Sequence, residues 1–239
     1  MLELTTVIDQ TSVCPYLADQ TARMPLEIPS GSVDAGHLDR LLNAGYRRSG
    51  WFYYRTACPS CQACQPLRVE VPCFVESKSL RRVLKRGDRC LKVELGKPKC
   101  DAARLRLFNR HRTVRHMARD DGAASTEDYR AFLVSSWNAT SELSYWLDDR
   151  LAAVAVVDVG ETALSAVYCY FDHELEYLSL GTYSILTQIR IARAQNMRWL
   201  YLGMYVAENR HLNYKARFMP HERLQSGSWR RYEVETQQA

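Results

Sequence analysis

Apolar and basic positions are spaced over residues 77–92, SKSLRRVLKRGDRCLK, in a way that predicts an amphipathic helix. The basic residues recur every three or four positions, so a helix of about 3.6 residues per turn gathers them into one stripe. This basic stripe consists of Lys78, Arg81, Arg82, Lys85, Arg86, Arg89 and Lys92. The opposite face carries Leu80, Val83, Leu84 and Leu91. Gly87 weakens the predicted helix without abolishing it.

The second half of the chain shows the period-two alternation and short apolar runs that are typical of strands. Strands are predicted within 144–159 (two, around a turn at residues 148 and 149), 163–172, 176–183 and 197–206. Residues 184–196 predict a helix, because their apolar side chains fall on one face. The result is an antiparallel meander followed by a β-α-β unit, and then a helical segment at 208–218 with a disordered tail, TQQA.

The first half predicts a short helix at 39–44, a strand at 46–55 and helices at 101–119 and 126–137. We therefore expect an α/β (α+β) protein with two units, divided by a linker at 94–100. Residues 1–93 form the smaller, cysteine-bearing module that carries the basic stripe. Residues 94–239 form a domain whose order of elements is typical of the N-acetyltransferase fold.

Composition narrows the class of protein. With 46% hydrophobic and 25% charged residues, the chain is ordinary for a globular protein. Its first residues lack the basic flank and apolar run of a signal peptide, and no window has the roughly 18 apolar residues of a membrane span. Eight cysteines in such a chain are better explained as thiols or metal ligands than as disulfides. We expect a cytoplasmic protein.

The net charge of +5 is mild, but it is concentrated in the basic stripe. A clustered basic face is the electrostatic footprint of a polyanion-binding protein. The alternative is a solvated helix surface. Ordinary exposed faces mix charges of both signs, however, and like charges at helical spacing repel one another.

The segment YRTACPSCQACQPLR contains three cysteines at two-residue spacing, Cys58, Cys61 and Cys64. Together with the distant Cys14 they provide four thiolates, the ligand set of zinc or of an iron–sulfur cluster. Zinc ribbons usually pair two separate CxxC units, and this arrangement differs from them. A packed or redox-sensitive cluster is the alternative, because a free cysteine behaves as a small hydrophobic residue.

Eight blocks of the sequence together resemble the aminoacyl-tRNA–protein transferases, a family that comprises eukaryotic arginyltransferases and bacterial leucyltransferases. The blocks are CPYL at 14, LLNAGYRRSG at 41, YRTACPSCQACQPLRV at 54, SKSLRRVLKR at 77, LSAVYCYFD at 164, LSLGTY at 178, YLGMYV at 201 and NYKARF at 213. The cysteine block resembles the bacterial branch. That resemblance implies transfer of leucine from leucyl-tRNA to proteins beginning with Asp or Glu, which marks them for degradation. The family pattern is broken at two places. Gly87 stands where Asn is expected, and residues 138–143 do not match the family.

The reaction that the resemblance implies is the attack of an α-amine on an aminoacyl ester. It requires alignment and oxyanion stabilisation rather than a cofactor. Ser179 and Tyr183 are the expected donors near the ester, and Glu176 or Asp172 the expected proton acceptor. Lys215 is expected to meet the terminal phosphate or ribose of the tRNA.

An acidic acceptor side chain calls for a cation with fork geometry. Arg47, Arg48 and Arg68 lie in the shared blocks and are the expected partners, with contact to the tRNA backbone as their alternative role. The basic stripe would follow the acceptor stem, where RNA is recognised mainly by shape and phosphate. The expected partners are thus aminoacyl-tRNA and acidic N-termini, and neither DNA nor a membrane.

Three other functions remain open. An arginyltransferase would share every block. A conventional N-acetyltransferase would share the fold, but it would have no use for the basic stripe and would carry a fuller pyrophosphate loop than the single Gly181 supplies. A non-catalytic tRNA-binding module would leave the LSLGTY and NYKARF blocks without a role.

Overall fold

The computed structural model describes residues 2–116 and 122–233. Its first elements are β1 (Leu4–Ile8), β2 (Thr11–Val13), β3 (Thr21–Arg23), β4 (Leu26–Pro29), α1 (Ala35–Asn43), β5 (Arg47–Ser49) and β6 (Phe52–Tyr54). Four of these strands form an antiparallel sheet in the order β1-β4-β6-β5, and β2 and β3 form a separate hairpin. The predicted strand at 46–55 is therefore the β5–β6 hairpin, with a turn around Gly50.

The remaining elements build a larger unit. They are β7 (Gln65–Glu70), α2 (Lys78–Cys90), β8 (Lys92–Gly96), α3 (Ala102–Val114), α4 (Thr126–Tyr129), β9 (Thr140–Leu147), β10 (Arg150–Val159), β11 (Ala163–Phe171), α5 (Leu180–Ala194), β12 (Trp199–Tyr205), α6 (Arg210–Asn213), β13 (His221–Gln225) and β14 (Ser228–Tyr232). Short 3-10 turns occupy Val71–Cys73, His173–Leu178 and Tyr214–Arg217, and a π-helical turn occupies Arg130–Val134.

Eight strands form one sheet in the order β14-β13-β7-β12-β11-β10-β9-β8. Within the described residues, β11 and β12 are its one parallel pair. Helices α2 and α5 pack on one face of the sheet, and α3 and α4 pack on the other. The strand β10 (RLAAVAVVDV) lies between these layers and is buried on both faces, which explains its continuous apolar run. The α/β expectation is confirmed.

Helix α2 confirms the helix predicted from the basic stripe. Ser77 accepts a hydrogen bond from the N–H of Leu80 and so caps the first turn. Gly87 is buried against Tyr183 of α5, where an added Cβ would lie 2.3 Å from a ring carbon. The glycine therefore serves the close approach of the two helices, which compensates for its low helical propensity.

The strand predicted at 176–183 is wrong. These residues form the end of a 3-10 turn and the start of α5. Leu178 and Leu180 alternate as in a strand, but Ser179 between them has φ 53° and ψ 48°, a left-handed conformation that redirects the chain. Both leucines therefore reach the same core.

The structure does not divide at residues 93 and 94. Strand β7 lies between β12 and β13 of the large sheet, α2 packs on α5, and β8 forms the far edge next to β9. Long-range strand pairing thus merges the two expected units, and β8 occupies most of the expected linker.

The chain ends also differ from expectation. The hairpin β13–β14 follows the predicted helix at 208–218, which is present as α6 and a 3-10 turn. The predicted disordered tail, TQQA, and residues 117–119 of the predicted helix at 101–119 lie outside the described residues. The predicted helix at 126–137 is α4 followed by the π-helical turn, which ends at Val134. No helix in the described ranges combines the length and the apolar character needed to cross a membrane.

Candidate active site

The parallel strands β11 and β12 separate part of the way along their length. They pair from Ala163–Trp199 to Ser165–Tyr201, after which the ladder ends. The register between β12 and β7 shifts between Tyr201 and Gly203, and Gly203 takes a positive φ of 81°. The separation opens a cavity of about 710 Å³ between the two strands and the start of α5.

The walls of this cavity are largely apolar. They include Phe132, Phe171, Leu180, Ile185, Leu202 and Leu212. Glu176 is the one carboxylate among the lining residues of the described ranges, and its side chain is exposed at the rim. The interior therefore suits an aliphatic group and provides no acid to neutralise a buried cation.

The start of α5 faces the cavity with unpaired backbone donors. The N–H of Tyr183 is the first to bond within the helix, to the carbonyl of Ser179 at 2.9 Å. The preceding N–H groups, those of Leu180, Gly181 and Thr182, have no hydrogen-bond acceptor among the described residues. They lie at the positive end of the helix dipole, where an oxyanion is stabilised.

Arg47 fills the gap between the two strands. Its Nη2 donates to the carbonyl of Ala166 at 2.8 Å, and its Nη1 donates to the hydroxyl of Ser165 at 3.3 Å. A Cβ on Gly203 would lie 2.9 Å from Nη2, so the glycine is required for this approach. No carboxylate of the described chain forms an ion pair with Arg47, although the side chain is buried.

Lys215 provides a second cation on the other side of the gap. Its Nζ donates to the carbonyl of Met204 at 2.8 Å. Burial, and secondarily the positive charge of Arg47, lower the pKa of Lys215 from 10.5 to about 7. The arrangement places two basic groups at one end of an apolar cavity.

Gln188 is a polar residue in the apolar wall of α5, and the sequence analysis missed it. It is 1% exposed, its Nε2 donates to Ser184 Oγ at 3.0 Å, and its Oε1 has no protein partner in the described ranges. Such a buried acceptor in a cavity is suited to a ligand donor. The detectable signal was a glutamine interrupting the apolar run SILTQIRI.

Of the three arginines expected to bind the acidic side chain, Arg68 is absent from the cavity, and Arg48 lines it but is already paired with an acid of the fold. Arg48 forms a bidentate pair with Asp158 at 2.7 and 2.9 Å, and both side chains are 1% exposed. Arg68 pairs with Glu222 at 2.7 Å and lies between the rings of Trp199 and Trp229. Their charges are already neutralised by acids of the fold, so their role is structural.

Tyr183 also lies outside the cavity. Its hydroxyl donates to Asp88 at 3.0 Å, and burial, followed by the carboxylate of Asp88, raises its pKa to about 12. Asp172 is buried in an ion pair with Arg150 and is equally unsuited to the predicted role. Ser179 and Glu176 do line the cavity, and their catalytic roles stay predictions.

The basic stripe is an exposed surface on α2. Its members Lys78, Arg81, Arg82, Lys85, Arg86 and Arg89 are all exposed and have no carboxylate partner within residues 2–116 and 122–233. Asp88 pairs instead with Arg190 of α5 at 2.9 Å. Lys92 falls outside the helix and pairs with Glu94.

The structure brings the four predicted cysteines together. Burial, and secondarily the proximity of Cys14, Cys58 and Cys61, raise the pKa of Cys64 to about 12. All four are free thiols. Their chemistry fits zinc or an iron–sulfur cluster, but no three His, Cys, Asp or Glu side chains of the described chain are arranged to hold a metal ion. Metal binding therefore stays a prediction.

A mixed sheet that separates over the start of a helix is typical of the N-acetyltransferase-like fold. Two solved structures are similar to the chain. L-PGS from Bacillus licheniformis has a TM-score of 0.52 at 12% identity, covering 93% of this chain and 82% of that one. The C-terminal domain of a putative lysylphosphatidylglycerol synthetase from Agrobacterium fabrum has a TM-score of 0.52 at 17% identity, covering 81% of this chain and 62% of that one.

Two family models then match the sequence. The N-terminal model of arginine-tRNA-protein transferase matches residues 12–82, and the C-terminal model matches residues 103–225. The chain therefore belongs to the arginine-tRNA-protein transferase family and is an aminoacyltransferase.

Similar proteins include the aspartate/glutamate leucyltransferases of Marinobacter nauticus and Thiobacillus denitrificans, both 38% identical. The first similarity covers 91% of each chain and the second covers 92% of each. The aspartate/glutamate leucyltransferase of Aeromonas hydrophila is 37% identical over 91% of this chain and 90% of its own.

Proposed function

We propose that the protein transfers leucine from leucyl-tRNA to the N-terminal α-amine of proteins that begin with Asp or Glu. The relatives named above are aspartate/glutamate leucyltransferases. The observation that carries the proposal is Arg47, a buried guanidinium without an acidic partner in the described chain, at one end of an apolar cavity.

The apolar walls support leucine as the transferred residue. A leucyl side chain gains the free energy of apolar burial against Leu180, Ile185 and Leu202. An arginyl side chain would bring a guanidinium into a cavity that already contains the cations Arg47 and Lys215 among others, and that has no buried carboxylate among its described lining residues. Burying an unpaired charge costs roughly several kcal/mol, so this cavity disfavours an arginyl side chain.

Arg47 supports an acidic acceptor. A guanidinium offers a planar fork of donors that matches a carboxylate, and such charge-assisted bonds are among the strongest hydrogen bonds in proteins. Lys215, in the 3-10 turn at Tyr214–Arg217, adds a second donor. An Asp or Glu side chain bound there would leave its α-amine directed toward the start of α5.

The chemistry requires little more than alignment. The neutral amine attacks the ester carbonyl, the peptide C–N bond forms, and the C–O bond to the ribose breaks as the ribose oxygen takes up a proton. The N–H groups of Leu180, Gly181 and Thr182 stabilise the oxyanion of the tetrahedral intermediate. An α-amine has a pKa of about 7.7–8, so a neutral fraction exists at pH 7 without a strong base.

The cysteine cluster takes no part in this step. Zinc or an iron–sulfur cluster at Cys14, Cys58, Cys61 and Cys64 would give these loops a rigid centre, and Tyr16, two residues after Cys14, lines the cavity. Metal analysis of protein purified without chelators and under anaerobic conditions tests this prediction, with a Cys61→Ser variant as the matched control.

A transfer assay with matched peptides tests the function. Purified protein is incubated with leucyl-tRNA or arginyl-tRNA and with peptides beginning with Asp, Glu, Asn or Gln. We expect leucine on the Asp and Glu peptides and far less on their uncharged amide counterparts. Incorporation of arginine would contradict the choice of leucine. Failure of both transfers, by protein that still binds tRNA, would favour a non-catalytic module.

A further inference from the structure

A further cationic side chain, that of Arg115, lines the cavity. Arg115 follows the last residue of α3. Its Nε is buried and has no hydrogen-bond partner in the described ranges, and none of their carboxylates forms an ion pair with it. A buried guanidinium nitrogen without a partner is costly unless a ligand completes it.

Three histidines from separate elements surround this guanidinium. His111 of α3 and His211 of α6 line the cavity, and His173 contacts His111 with their ring nitrogens 3.1 Å apart. Burial, and secondarily the positive charge of Arg115, lower the pKa of all three, that of His111 to about 4. Arg115 is thus a fixed charge among neutral imidazoles, which can donate or accept hydrogen bonds.

The other charged groups described near Arg115 do not neutralise its guanidinium. The carboxylates of Asp172 and Glu174 are engaged with Arg150 and Arg110. Glu176 and Asp172 affect His173, and Arg210 adds a further positive charge near His211. Among the described residues, the surroundings of Arg115 therefore have an excess of positive charge.

One side chain, that of Phe171, separates the histidines around Arg115 from the N–H groups at the start of α5. The Nδ1 of His111 accepts the N–H of Phe171 at 3.2 Å, and the ring of Phe171 lies 3.4 Å from where a Cβ on Gly181 would be. In an aminoacyl-tRNA the ester and the nearest phosphate are separated by a single ribose. A ligand with its carbonyl at the start of α5 would thus carry its phosphate toward Arg115.

We propose that Arg115, with His211 beside it, binds the phosphate that precedes the terminal nucleoside of the tRNA. This inference rests on the proposed function, because it takes the donor to be an aminoacyl-tRNA. Arg47, between β11 and β12, then remains available for the acceptor carboxylate. Phosphate and carboxylate are thereby bound by different arginines of one cavity.

Two leucyl esters that differ by one phosphate and one nucleoside test the site. The 3′-leucyl ester of adenosine lacks the phosphate, and the 3′-leucyl ester of the dinucleotide CpA contains it. We expect kcat/KM of the wild type to favour the dinucleotide by about tenfold, as one charge-assisted phosphate contact predicts. Arg115→Ala should bring the ratio near one, and Arg115→Lys should give an intermediate ratio.

Arg106→Ala is the matched control, since Arg106 is an exposed arginine on the nearly opposite side of α3. It should keep the wild-type ratio. Thermal melts of all variants identify any that fail to fold. An unchanged ratio in folded Arg115→Ala overturns the proposal, as does an equal loss with both esters. Loss of the preference for Asp over Asn peptides would assign Arg115 to the acceptor and also overturn it.

A binding experiment tests the phosphate site independently of the proposed function. Binding of deacylated tRNA is compared with binding of the same tRNA lacking its last two nucleotides, without any transfer. The wild type should bind the intact tRNA about tenfold more tightly, and Arg115→Ala should bind both alike. If the wild type binds in this way but transfers no leucine, the phosphate site stands and the proposed function fails. If Arg115→Ala still distinguishes the two tRNAs, the phosphate site is refuted.

Discussion

Arg47 and Arg48 are neighbours on β5, yet their guanidinium groups lie in regions of opposite electrostatic character. Arg48 enters the closed region between β5 and β10, where Asp158 neutralises it. Arg47 enters the open region between β11 and β12, where it meets main-chain carbonyls and a cavity. Adjacent strand residues point to opposite faces, so one position separates a structural cation from a ligand-binding one.

The same contrast between ion-paired and unpaired cations is found elsewhere in the molecule. Arg68 and Arg104 are buried and ion-paired with Glu222 and Glu142. Lys215 and the stripe residues on α2 face the cavity or solvent with no acidic partner among the described residues. Since a cation paired within the fold has little left to offer a ligand, its pairing indicates whether it serves stability or binding.

The largest effect is expected at Arg48. Arg48→Ala leaves Asp158 as an unpaired buried charge, which should lower the free energy of unfolding by about 3–5 kcal/mol. Urea unfolding measures this change. The double variant Arg48→Met, Asp158→Leu removes both charges and should recover most of the stability. If the double variant is as unstable as the single one, the closed region does not depend on charge pairing.

Arg47→Ala should instead act on catalysis. We expect kcat/KM for an Asp-initiated peptide to fall by about a hundredfold, since one charge-assisted bidentate contact is lost. Unfolding should change by only about 1–2 kcal/mol, because the lost bonds are to neutral groups. Arg47→Lys should recover part of the activity. Equal losses on Asp and Asn peptides would show that Arg47 does not recognise the acid.

Lys215 should make the stability of the folded protein depend on pH. Its pKa is 10.5 when exposed and about 7 in the folded protein, because the site is buried. Between these values the unfolded chain binds more protons, so wild-type stability rises with pH. Lys215→Met lacks this dependence and should be more stable than the wild type at pH 6–7, with the difference narrowing toward pH 9. Lys85→Met, on the exposed stripe, should show no such convergence.

The smallest effects are expected on the basic stripe. Lys85→Ala or Arg86→Ala should leave folding unchanged and weaken tRNA binding modestly. The slope of log affinity against log salt should become shallower by about 0.7–0.9 per lost phosphate contact. Arg40→Ala on α1 is the exposed control. An unchanged slope in the stripe variants would mean that the tRNA follows another surface.

These contrasts show which features could be predicted from the sequence and which could not. It predicted α2, α5 and the strands of the meander, because these follow from local periodicity. It treated Arg47, Arg48 and Arg68 alike. Their partners stand far away in the chain, and Asp158 is 110 positions from Arg48.

The errors have similar causes. Residues 176–183 alternate like a strand, but one left-handed serine converts them into a turn and a helix start. The boundary at 93 and 94 failed because β7 finds its neighbours in β12 and β13, more than 100 residues later. Gln188 was overlooked because a single polar residue on an apolar helix face gives no sign of an unpaired acceptor.

The sequence alone determined the family, the basic stripe, the set of four cysteines and the residue types available for binding, since these depend on identity and short-range spacing. The tertiary structure alone decided which cations are neutralised, where β11 and β12 separate, and which side chains meet in the cavity. Those outcomes depend on pairing between distant segments, because an ion pair forms only where the fold brings an acid within a few ångströms of a base.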